Sequence, residues 1–561
     1  MLDFAKDKKL WEKIRTSDDF KRHREEAKAL YDKNFTSEPR ISTYHEFITH
    51  EDSNFMKRIF QLQASAIMSL IYPDNEEYFN RLLETIWVYC DEYTWAGSGH
   101  YNEYYNRTVH DYDPGLIDIY AASMGLSLAE IKNILGDRLP DIFKKRISAE
   151  LKRHIIDPYC ERKFFWEHHP NNWSAVCGGG VGGVLIYEAP ELYEKYRDRL
   201  NETMQVYIDS YKDDGVCAEG CAYWGFGFGF FAIYAMLQRE YTNGEYDLFK
   251  NEKVKQIAMF VQKTFLQNDV LITFSDCNLS EGYWIGLPHM LKTVYGDDIE
   301  NLPTAAATIT AYQHFPFLLR CFIYYNPKYV SEEKLKNTTY LMKESAWLTK
   351  RCDNYGLALK GGNNGESHNH NDIGNFIIAR NGKEVFCDLG SGPYSSDYHG
   401  AKRYTFFNPS SFSHNVPFFD GIGQDGVRRE DVLIDYDEQN SVAKLDITNA
   451  YGYENVKKVV RTFTMLDDSV KVEDEFDLKD GTVTTERFVT TTKPVQEGRY
   501  IVVGDVRLVP DARDAMPKVS MVHNRNHIDH NTFTDVYCID YVLPENIAKF
   551  GITFEIPKRD K

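Results

Sequence analysis

The chain of 561 residues contains no stretch of 18 apolar residues, and its N-terminus, MLDFAKDKKLWEKIRTSDDF, is charged throughout. The sequence therefore predicts neither a membrane span nor a secretory signal peptide. Its ten cysteines include no CxxC pair. This usage favours buried free thiols in a reducing compartment over a disulfide framework. On these grounds we expect a cytoplasmic protein.

Positive charge is also scarce, because 65 Lys and Arg residues stand against 84 Asp and Glu residues, a formal net charge of −19. Such an acidic chain is a poor candidate for nucleic-acid binding. The glycine run at 178–183 is not followed by Gly-Lys-Ser/Thr and follows no strand pattern, so it does not predict a nucleotide-binding loop. Close packing of helices through glycine is the simpler interpretation of that run.

The first 335 residues or so have the texture of helices. In segment 55–72, apolar side chains recur at helical spacing, and they are Ile59, Leu62, Ala66, Ile67 and Leu70. Further amphipathic helices are predicted at 79–93, 115–134, 141–157, 191–211, 226–240, 252–265 and 303–325. Aromatic residues, 14% of the chain, are frequent in the loops between them. Such loops can line a cleft.

From about residue 345 short alternating segments replace the helical pattern, with turn signals at Asn381-Gly382 and Asp480-Gly481. These segments predict an antiparallel β-sandwich. We therefore expect an α+β chain with a helical domain over 1–340 and a β-domain over 341–561.

The densest polar cluster is GGNNGESHNHNDIGNF at 361–376, which places His368, His370 and Asp372 at alternate positions. Asp388 and His414 follow, and a His-Asp-His set can bind a divalent ion such as zinc. A fully extended chain would hold His370 more than about 15 Å from Asp388. If both bind one ion, the segment must fold back, which its Gly and Asn residues permit. The alternative is a polar surface turn with unrelated histidines.

Two clusters in the helical part carry other groups suited to chemistry. In HHPNNWSAVCGGGVGG, the amides of Asn171 and Asn172 could hydrogen-bond a substrate carboxylate. In DDGVCAEGCAYWGFGFGF, Tyr223 could exchange a proton and Trp224 could stack on a sugar. The alternative for both aromatic residues is a place in the core where a helix begins.

Taken in order, three patterns resemble the heparinase II/III-like family of polysaccharide lyases. They are NNW before a glycine run, DG…EG..YWG, and ESHNHND…GNF…D.G followed by HN…DG. YTWAGSGHY near 93–101 and GLIDIYAA at 115–122 also resemble family segments. The resemblance implies an incomplete (α/α) toroid followed by an antiparallel β-sandwich, and β-elimination of uronate-containing glycans.

The resemblance also implies roles for individual residues. Asn172 falls on the residue that neutralises the uronate carboxylate, while Tyr223 and His368 fall on the proton-transfer residues. Members that use a histidine as neutraliser leave His168 and His169 as alternatives. The implied ligands of one structural divalent ion, expected to be zinc, are His370, Asp388 and His414. The residues expected to bind substrate are Asn171, Trp173, Trp224, His100 and Arg403.

These residue types suit the elimination, which removes the proton on C5 of a uronate and protonates the departing O4. Two other functions share parts of the pattern: a uronate C5-epimerase and a non-catalytic glycan-binding protein. A metal-dependent glycoside hydrolase is disfavoured, because the clusters show no paired carboxylates. The expected partners are short uronate oligosaccharides, unsulfated or lightly sulfated and cleaved from an end. Homo-oligomerisation stays open.

Overall fold

The computed structural model describes residues 2–35, 53–103, 105, 113–267, 270–278, 282–304, 307–309, 314–331, 335–527 and 532–558. The first part of the chain is built of helices and the second part of strands. The α-helices are α1 (Lys8–Thr16), α2 (Lys21–Asn34), α3 (Ser53–Ile71), α4 (Glu76–Asp91), α5 (Ser98–Glu103), α6 (Ile119–Leu135), α7 (Asp141–Leu151), α8 (Asp157–Glu161), α9 (Asn172–Glu188), α10 (Pro190–Asp209), α11 (Cys221–Tyr223), α12 (Gly229–Tyr241), α13 (Glu252–Ala258), α14 (Phe260–Thr264), α15 (Gly286–Tyr295), α16 (Phe315–Ile323) and α17 (Ser396–His399). Within the part of the chain that these ranges cover, no helix is long and apolar enough to cross a membrane.

Most predicted helices are confirmed, but the described residues of the segment 303–325 form a helix only over Phe315–Ile323. Its helix, α16, begins at Phe315 with a proline in its first turn, which suits a helix start. Upstream, Ala307 and Thr308 form a short strand instead of a helical turn. The β-branched pair Thr308-Ile309 favours extended backbone there.

Helix α9 lies at the centre of the helical part and is buried on nearly every side. Its glycines allow neighbouring helices to approach closely. A Cβ on Gly180 would lie 2.6 Å from the carbonyl oxygen of Ala122 in α6, and one on Gly179 would lie 2.9 Å from that of Phe230 in α12. The interpretation of the glycine run as a packing device is therefore confirmed.

Within the described residues, the strands form three larger antiparallel sheets and two short pairs. The strands are β1 (Phe265–Gln267), β2 (Val270–Leu271), β3 (Tyr283–Trp284), β4 (Ala307–Thr308), β5 (Thr338–Met342), β6 (Trp347–Arg351), β7 (Gly356–Lys360), β8 (Phe376–Arg380), β9 (Lys383–Phe386), β10 (Pro417–Phe419), β11 (Asp435–Asp437), β12 (Val442–Asp446), β13 (Val456–Leu466), β14 (Ser469–Leu478), β15 (Thr484–Thr490), β16 (Val495–Glu497), β17 (Tyr500–Val503), β18 (Val506–Pro510), β19 (Pro517–Arg525), β20 (Phe533–Val542) and β21 (Lys549–Glu555). The sheet orders are β5-β6-β7-β8-β9, β10-β15-β20-β19 and β11-β12-β13-β14-β21-β18-β17-β16.

The five-stranded sheet joins the two parts, because both of its faces are buried. Trp347 and Ile377 point into the core of the helical part, whereas Leu348 and Ile378 point into the core between the sheets. This explains why β7 and β8 are buried along their whole length. Strand β5 spans residue 340, and the division of the chain there stays a prediction.

Candidate active site and metal centre

The segment at 361–375 connects β7 to β8 as a loop that folds back, as the metal hypothesis requires. Gly362 and Gly374, both with φ of +86°, occupy backbone conformations that favour glycine. The loop brings His370 close to Asp388, which follows β9, and to His414. Asn375 faces Asp388 and donates its amide to Oδ2 at 2.9 Å. The fold-back that a shared ion requires is therefore present.

His370, Asp388 and His414 offer three ligand atoms within 4.8 Å of one another, and all three residues are fully buried. Nδ1 of His370 lies 3.1 Å from Nε2 of His414. Two nitrogens bound to zinc at about 2.0–2.1 Å in tetrahedral geometry would be about 3.3 Å apart. Nε2 of His414 lies 3.3 Å from Oδ2 of Asp388. These spacings fit one small divalent ion.

The outer nitrogens of both imidazoles are already engaged. Nε2–H of His370 donates to Oδ1 of Asp276 at 3.1 Å, and Nδ1–H of His414 donates to the carbonyl of Ser410 at 2.8 Å. The two inner nitrogens therefore point lone pairs at one another, an arrangement that a cation between them relieves. Metal-ligating histidines are held in this way by their second nitrogen. The residues present fit the predicted metal, whose identity the ligand set leaves open between zinc and similar ions.

His368 leaves the same loop in the opposite direction, towards the helical part. Its backbone is left-handed, with φ of +52°, an uncommon conformation that often marks functional positions. Its Nδ1 lies 2.8 Å from Oδ2 of Asp276. Burial lowers the pKa of His368, but the hydrogen bond to Asp276 and the charges of Glu219 and Asp276 outweigh it, and the pKa is raised. The imidazole is thus oriented by a buried carboxylate.

Tyr223 stacks on His368, with ring centroids 4.2 Å apart and planes 27° from parallel. It ends α11, which starts after Gly220, whose φ is +100° and where a Cβ would lie 2.6 Å from Sγ of Cys277. A π-helical turn over Trp224–Phe228 follows, a feature often found at functional sites. Burial raises the pKa of Tyr223 well above its usual range. Its hydroxyl shares a hydrogen bond with that of Tyr394 at 3.1 Å.

Tyr223 also lines an open cavity, whose space of about 450 Å³ includes the solvent at its mouth. Asn171 and Asn172 line the same cavity, where α9 begins. Asn171 caps the helix by accepting the backbone N–H of Trp173 at 2.9 Å. The remaining lining residues are Pro170, Tyr207, Ser210, Tyr211, Val216, Cys217, Ala218, Glu219, Glu366 and Ser367. His168 and His169, the alternative neutralisers, are exposed and outside this lining.

The structure contradicts the sugar-stacking role predicted for Trp224. Its side chain is 1% exposed in the helical core, and its Nε1–H donates to the carbonyl of Ile257 at 2.7 Å. Consecutive residues of a helical turn point about 100° apart, so the two neighbouring rings reach different environments. The core interpretation is correct for Trp224, whereas Tyr223 lines the cavity.

The other residues expected to bind substrate are held by protein groups. Trp173 is buried against Phe165 and His100, with centroids 5.2 and 4.9 Å away. Nδ1 of His100 lies 2.6 Å from Oδ2 of Asp118. None of these residues belongs to the cavity lining. A contact between substrate and either Trp173 or His100 stays a prediction.

Arg403 was expected to provide a basic contact for substrate, but its guanidinium has another partner. Nη2 lies 2.8 Å from Oδ1 of Asp276, and Nε–H donates to the carbonyl of Asn369 at 3.1 Å. Its charge is therefore offset by a buried carboxylate beside His368. A contact between Arg403 and substrate stays a prediction.

Three residues of the site were not predicted from the sequence. Asp276 joins His368, His370 and Arg403, Tyr394 contacts Tyr223, and Glu219 lines the cavity. Glu219 lies within the EG..YWG pattern and could have been singled out there. Asp276 and Tyr394 have no local signal, because they reach the site through the packing of loops distant in sequence.

The class of fold is that of glycan lyases with a helical toroid and a β-sandwich. Heparinase III is similar, with 11% identity over 97% of this chain and 92% of that chain and a TM-score of 0.60. A mutant heparan sulfate lyase from Pedobacter heparinus aligns with 13% identity over 100% and 86% of the two chains, with a TM-score of 0.57. Chondroitin AC lyase from Streptomyces coelicolor A3, in complex with chondroitin sulphate, has 10% identity, coverage of 99% and 83%, and a TM-score of 0.58. The predicted fold class is confirmed.

Residues 338–511 match the family model described as "Heparinase II/III-like, C-terminal". The C-terminal part of this chain is therefore similar to a heparinase II/III-like C-terminal domain, and the resemblance read from its motifs is confirmed. No curated protein sequence matches the chain.

Proposed function

We propose that this protein is a polysaccharide lyase that cleaves uronate-containing glycans by β-elimination, leaving 4,5-unsaturated uronate ends. The observation that supports this proposal best is the stacked pair of Tyr223 and His368, whose tyrosine lines the same cavity as Asn172. The pair provides two groups for proton transfer, and Asn172 provides an amide for a carboxylate. β-Elimination next to a uronate needs these three functions together.

Asn172 is the proposed neutraliser of the uronate carboxylate. It is the first residue of α9, a 17-residue helix whose positive end faces the cavity. Backbone N–H groups and the dipole at a helix N-terminus favour an anion. Removal of the C5 proton creates an enolate-like dianion on this carboxylate. Hydrogen bonds that strengthen as this charge develops lower the barrier.

His368 is the proposed base and Tyr223 the proposed acid. Because Asp276 accepts from Nδ1–H of His368, Nε2 is the nitrogen left to take the C5 proton. The raised pKa of Tyr223 keeps its hydroxyl protonated at neutral pH. That hydroxyl can therefore donate a proton to O4 as the C4–O4 bond breaks. The product ring then carries the C4–C5 double bond and the original carboxylate, and the proton on His368 replaces the one that Tyr223 has lost.

The proposed metal centre would stabilise this arrangement by anchoring the loop that carries His368. His370, Asp388 and His414 would hold a divalent ion, which supplies fixed bonds that anchor the loop at 361–375. His368 lies two residues from His370 in that loop, so its position depends on the same anchor. The proposed role is structural, and zinc is the proposed ion.

The charge of the cavity supports a preference for unsulfated or lightly sulfated substrates. Its described lining contains two glutamates and neither lysine nor arginine. Glu366 has a basic neighbour, Arg428, at 3.5 Å, whereas burial raises the pKa of Glu219. A sulfate in this cavity would meet carboxyl groups and no cationic side chain. Binding of sulfated sugars normally needs the opposite pattern.

A panel of uronate glycans tests the proposal. Unsulfated, lightly sulfated and highly sulfated oligosaccharides are incubated with the protein, and the ultraviolet absorbance of the new C4–C5 double bond is followed. We expect absorbance with at least one unsulfated uronate oligosaccharide. Deuterium uptake at C5 from heavy water without that absorbance would identify an epimerase instead. Neither signal with any glycan, but saturable binding, would identify a binding protein.

A further inference from the structure

We infer that Asp276 is a positioning residue that fixes two histidines at once, the reactive imidazole of His368 and the metal-site imidazole of His370. The reactive role of His368 in this inference rests on the proposed function. Asp276 comes from the helical part of the chain, in the turn after β2, while both histidines come from the loop at 361–375. It thus links the two parts of the site.

The two carboxylate oxygens of Asp276 have different neighbours. Oδ2 lies 2.8 Å from Nδ1 of His368. Oδ1 receives three donors: Nε2–H of His370 at 3.1 Å, Nη2–H of Arg403 at 2.8 Å and the hydroxyl of Tyr398 at 3.1 Å. Asp276 is fully buried, so these neighbours replace water around its charge. The preceding Ser275 has φ of +66°, an uncommon conformation for a non-glycine residue.

This arrangement determines which nitrogen of each histidine carries the proton. A carboxylate can only accept hydrogen bonds, so Nδ1 of His368 and Nε2 of His370 must donate. The opposite nitrogens, Nε2 of His368 and Nδ1 of His370, are then lone-pair atoms. The first is free to take a proton from substrate, and the second faces the metal centre. One carboxylate therefore prepares a base and a metal ligand together.

The difference between the two oxygens makes an asparagine substitution informative. In Asp276→Asn, the amide oxygen should take the place of Oδ1, because that place faces three donors. The amide NH2 group would then face Nδ1 of His368 and force it to accept. The proton of His368 would move to Nε2, which could no longer act as a base. The metal-site hydrogen bond from His370 would be kept.

The test measures tautomer, metal content and kinetics on the full chain. Nitrogen-15 NMR of histidine-labelled protein, assigned with His368→Ala, reports which ring nitrogen of His368 is protonated. We expect Nδ1 in the wild type and Nε2 in Asp276→Asn. Elemental analysis should find about one equivalent of metal in both proteins. The kcat should fall at least about a hundredfold with KM changed less than about threefold, since a wrong tautomer in a Ser-His-Asp triad costs about 10⁴ in kcat.

Two further variants separate this role from a general effect on folding. Asp276→Ala removes both acceptors and should also weaken metal binding about 10- to 100-fold. Glu130→Gln is the matched control, because Glu130 is a buried carboxylate that pairs with Arg320 at 2.6 Å in the core of the helical part. It should lower Tm while leaving the His368 tautomer, the metal and kcat unchanged.

Several results would overturn the inference. A wild-type His368 protonated at Nε2 would do so without any variant. So would an Asp276→Asn protein that keeps its kcat within about threefold, or one that loses its metal along with its activity. The NMR and metal measurements do not depend on substrate, so they would still judge Asp276 if no glycan were cleaved. In that case the proposed function would fail separately.

Discussion

The metal centre and the cavity wall are built in different ways. The three metal-site residues all come from the C-terminal part of the chain and are fully buried. The cavity wall combines Asn172 and Tyr223 from the helical part with the loop that carries His368, and it is partly open. A buried site within one part can form as that part folds. The cavity exists only when both parts are packed together, because each part contributes lining residues. Its chemistry therefore depends on the contact between the two parts, which the proposed metal centre would help to hold in place.

The largest expected effect on kcat comes from changing the reactive residues at the cavity wall. Tyr223→Phe and His368→Ala should each lower kcat at least about hundredfold, because general acid or base groups contribute on this scale. Far-ultraviolet circular dichroism should stay unchanged in both. Near-normal turnover in both folded variants would show that the reactive groups lie elsewhere. The cavity wall would then have no catalytic role to distinguish it from the metal centre.

Loss of the metal centre should act through stability as well as activity. His414→Ala should reduce bound metal from about one equivalent to below about 0.1, and Tm should fall by several degrees, because metal binding couples to folding. His23→Ala is a suitable control, since His23 is a buried histidine of the helical part. That control should lower Tm and keep the metal. A metal-free wild type with full activity would contradict the structural role.

The adjacent residues Tyr223 and Trp224 allow a sharper comparison between a cavity residue and a core residue. Trp224→Phe removes a buried indole and its hydrogen bond to Ile257. We expect the free energy of unfolding to fall by about 1–3 kcal/mol. The KM should change less than about twofold, because Trp224 is outside the cavity. Chemical denaturation and steady-state kinetics measure the two quantities, and a large rise in KM with unchanged stability would restore the stacking role.

The smallest expected effect concerns the charge of the cavity. Glu219→Gln should raise the ratio of kcat/KM for a monosulfated over an unsulfated oligosaccharide by about three- to tenfold, since one partly screened charge is worth on the order of 1 kcal/mol. Glu497→Gln, on an exposed edge strand, should leave the ratio unchanged. An unchanged ratio in Glu219→Gln, or faster cleavage of highly sulfated glycans by the wild type, would show that this cavity does not select against sulfate.

The same contrast explains what could be predicted from the sequence. The metal residues lie in dense, local motifs, so HNHND, Asp388 and His414 were identifiable, as was the need for the loop to fold back. Asp276 was not, because it is one of 84 acidic residues and lies 92 residues before His368. Its role appears only when the parts pack. The sequence did not show which of the adjacent residues Tyr223 and Trp224 faces the cavity, because that depends on how the helix start packs against its neighbours.

The most direct test of the central claim is the initial rate at which the C4–C5 double bond forms from unsulfated uronate oligosaccharides, compared between the wild type and Tyr223→Phe. The proposed mechanism predicts steady formation of unsaturated ends by the wild type and a rate at least about a hundredfold lower in the folded variant. Equal rates in the two proteins, or no unsaturated product from any uronate glycan with metal-loaded wild type, would contradict it.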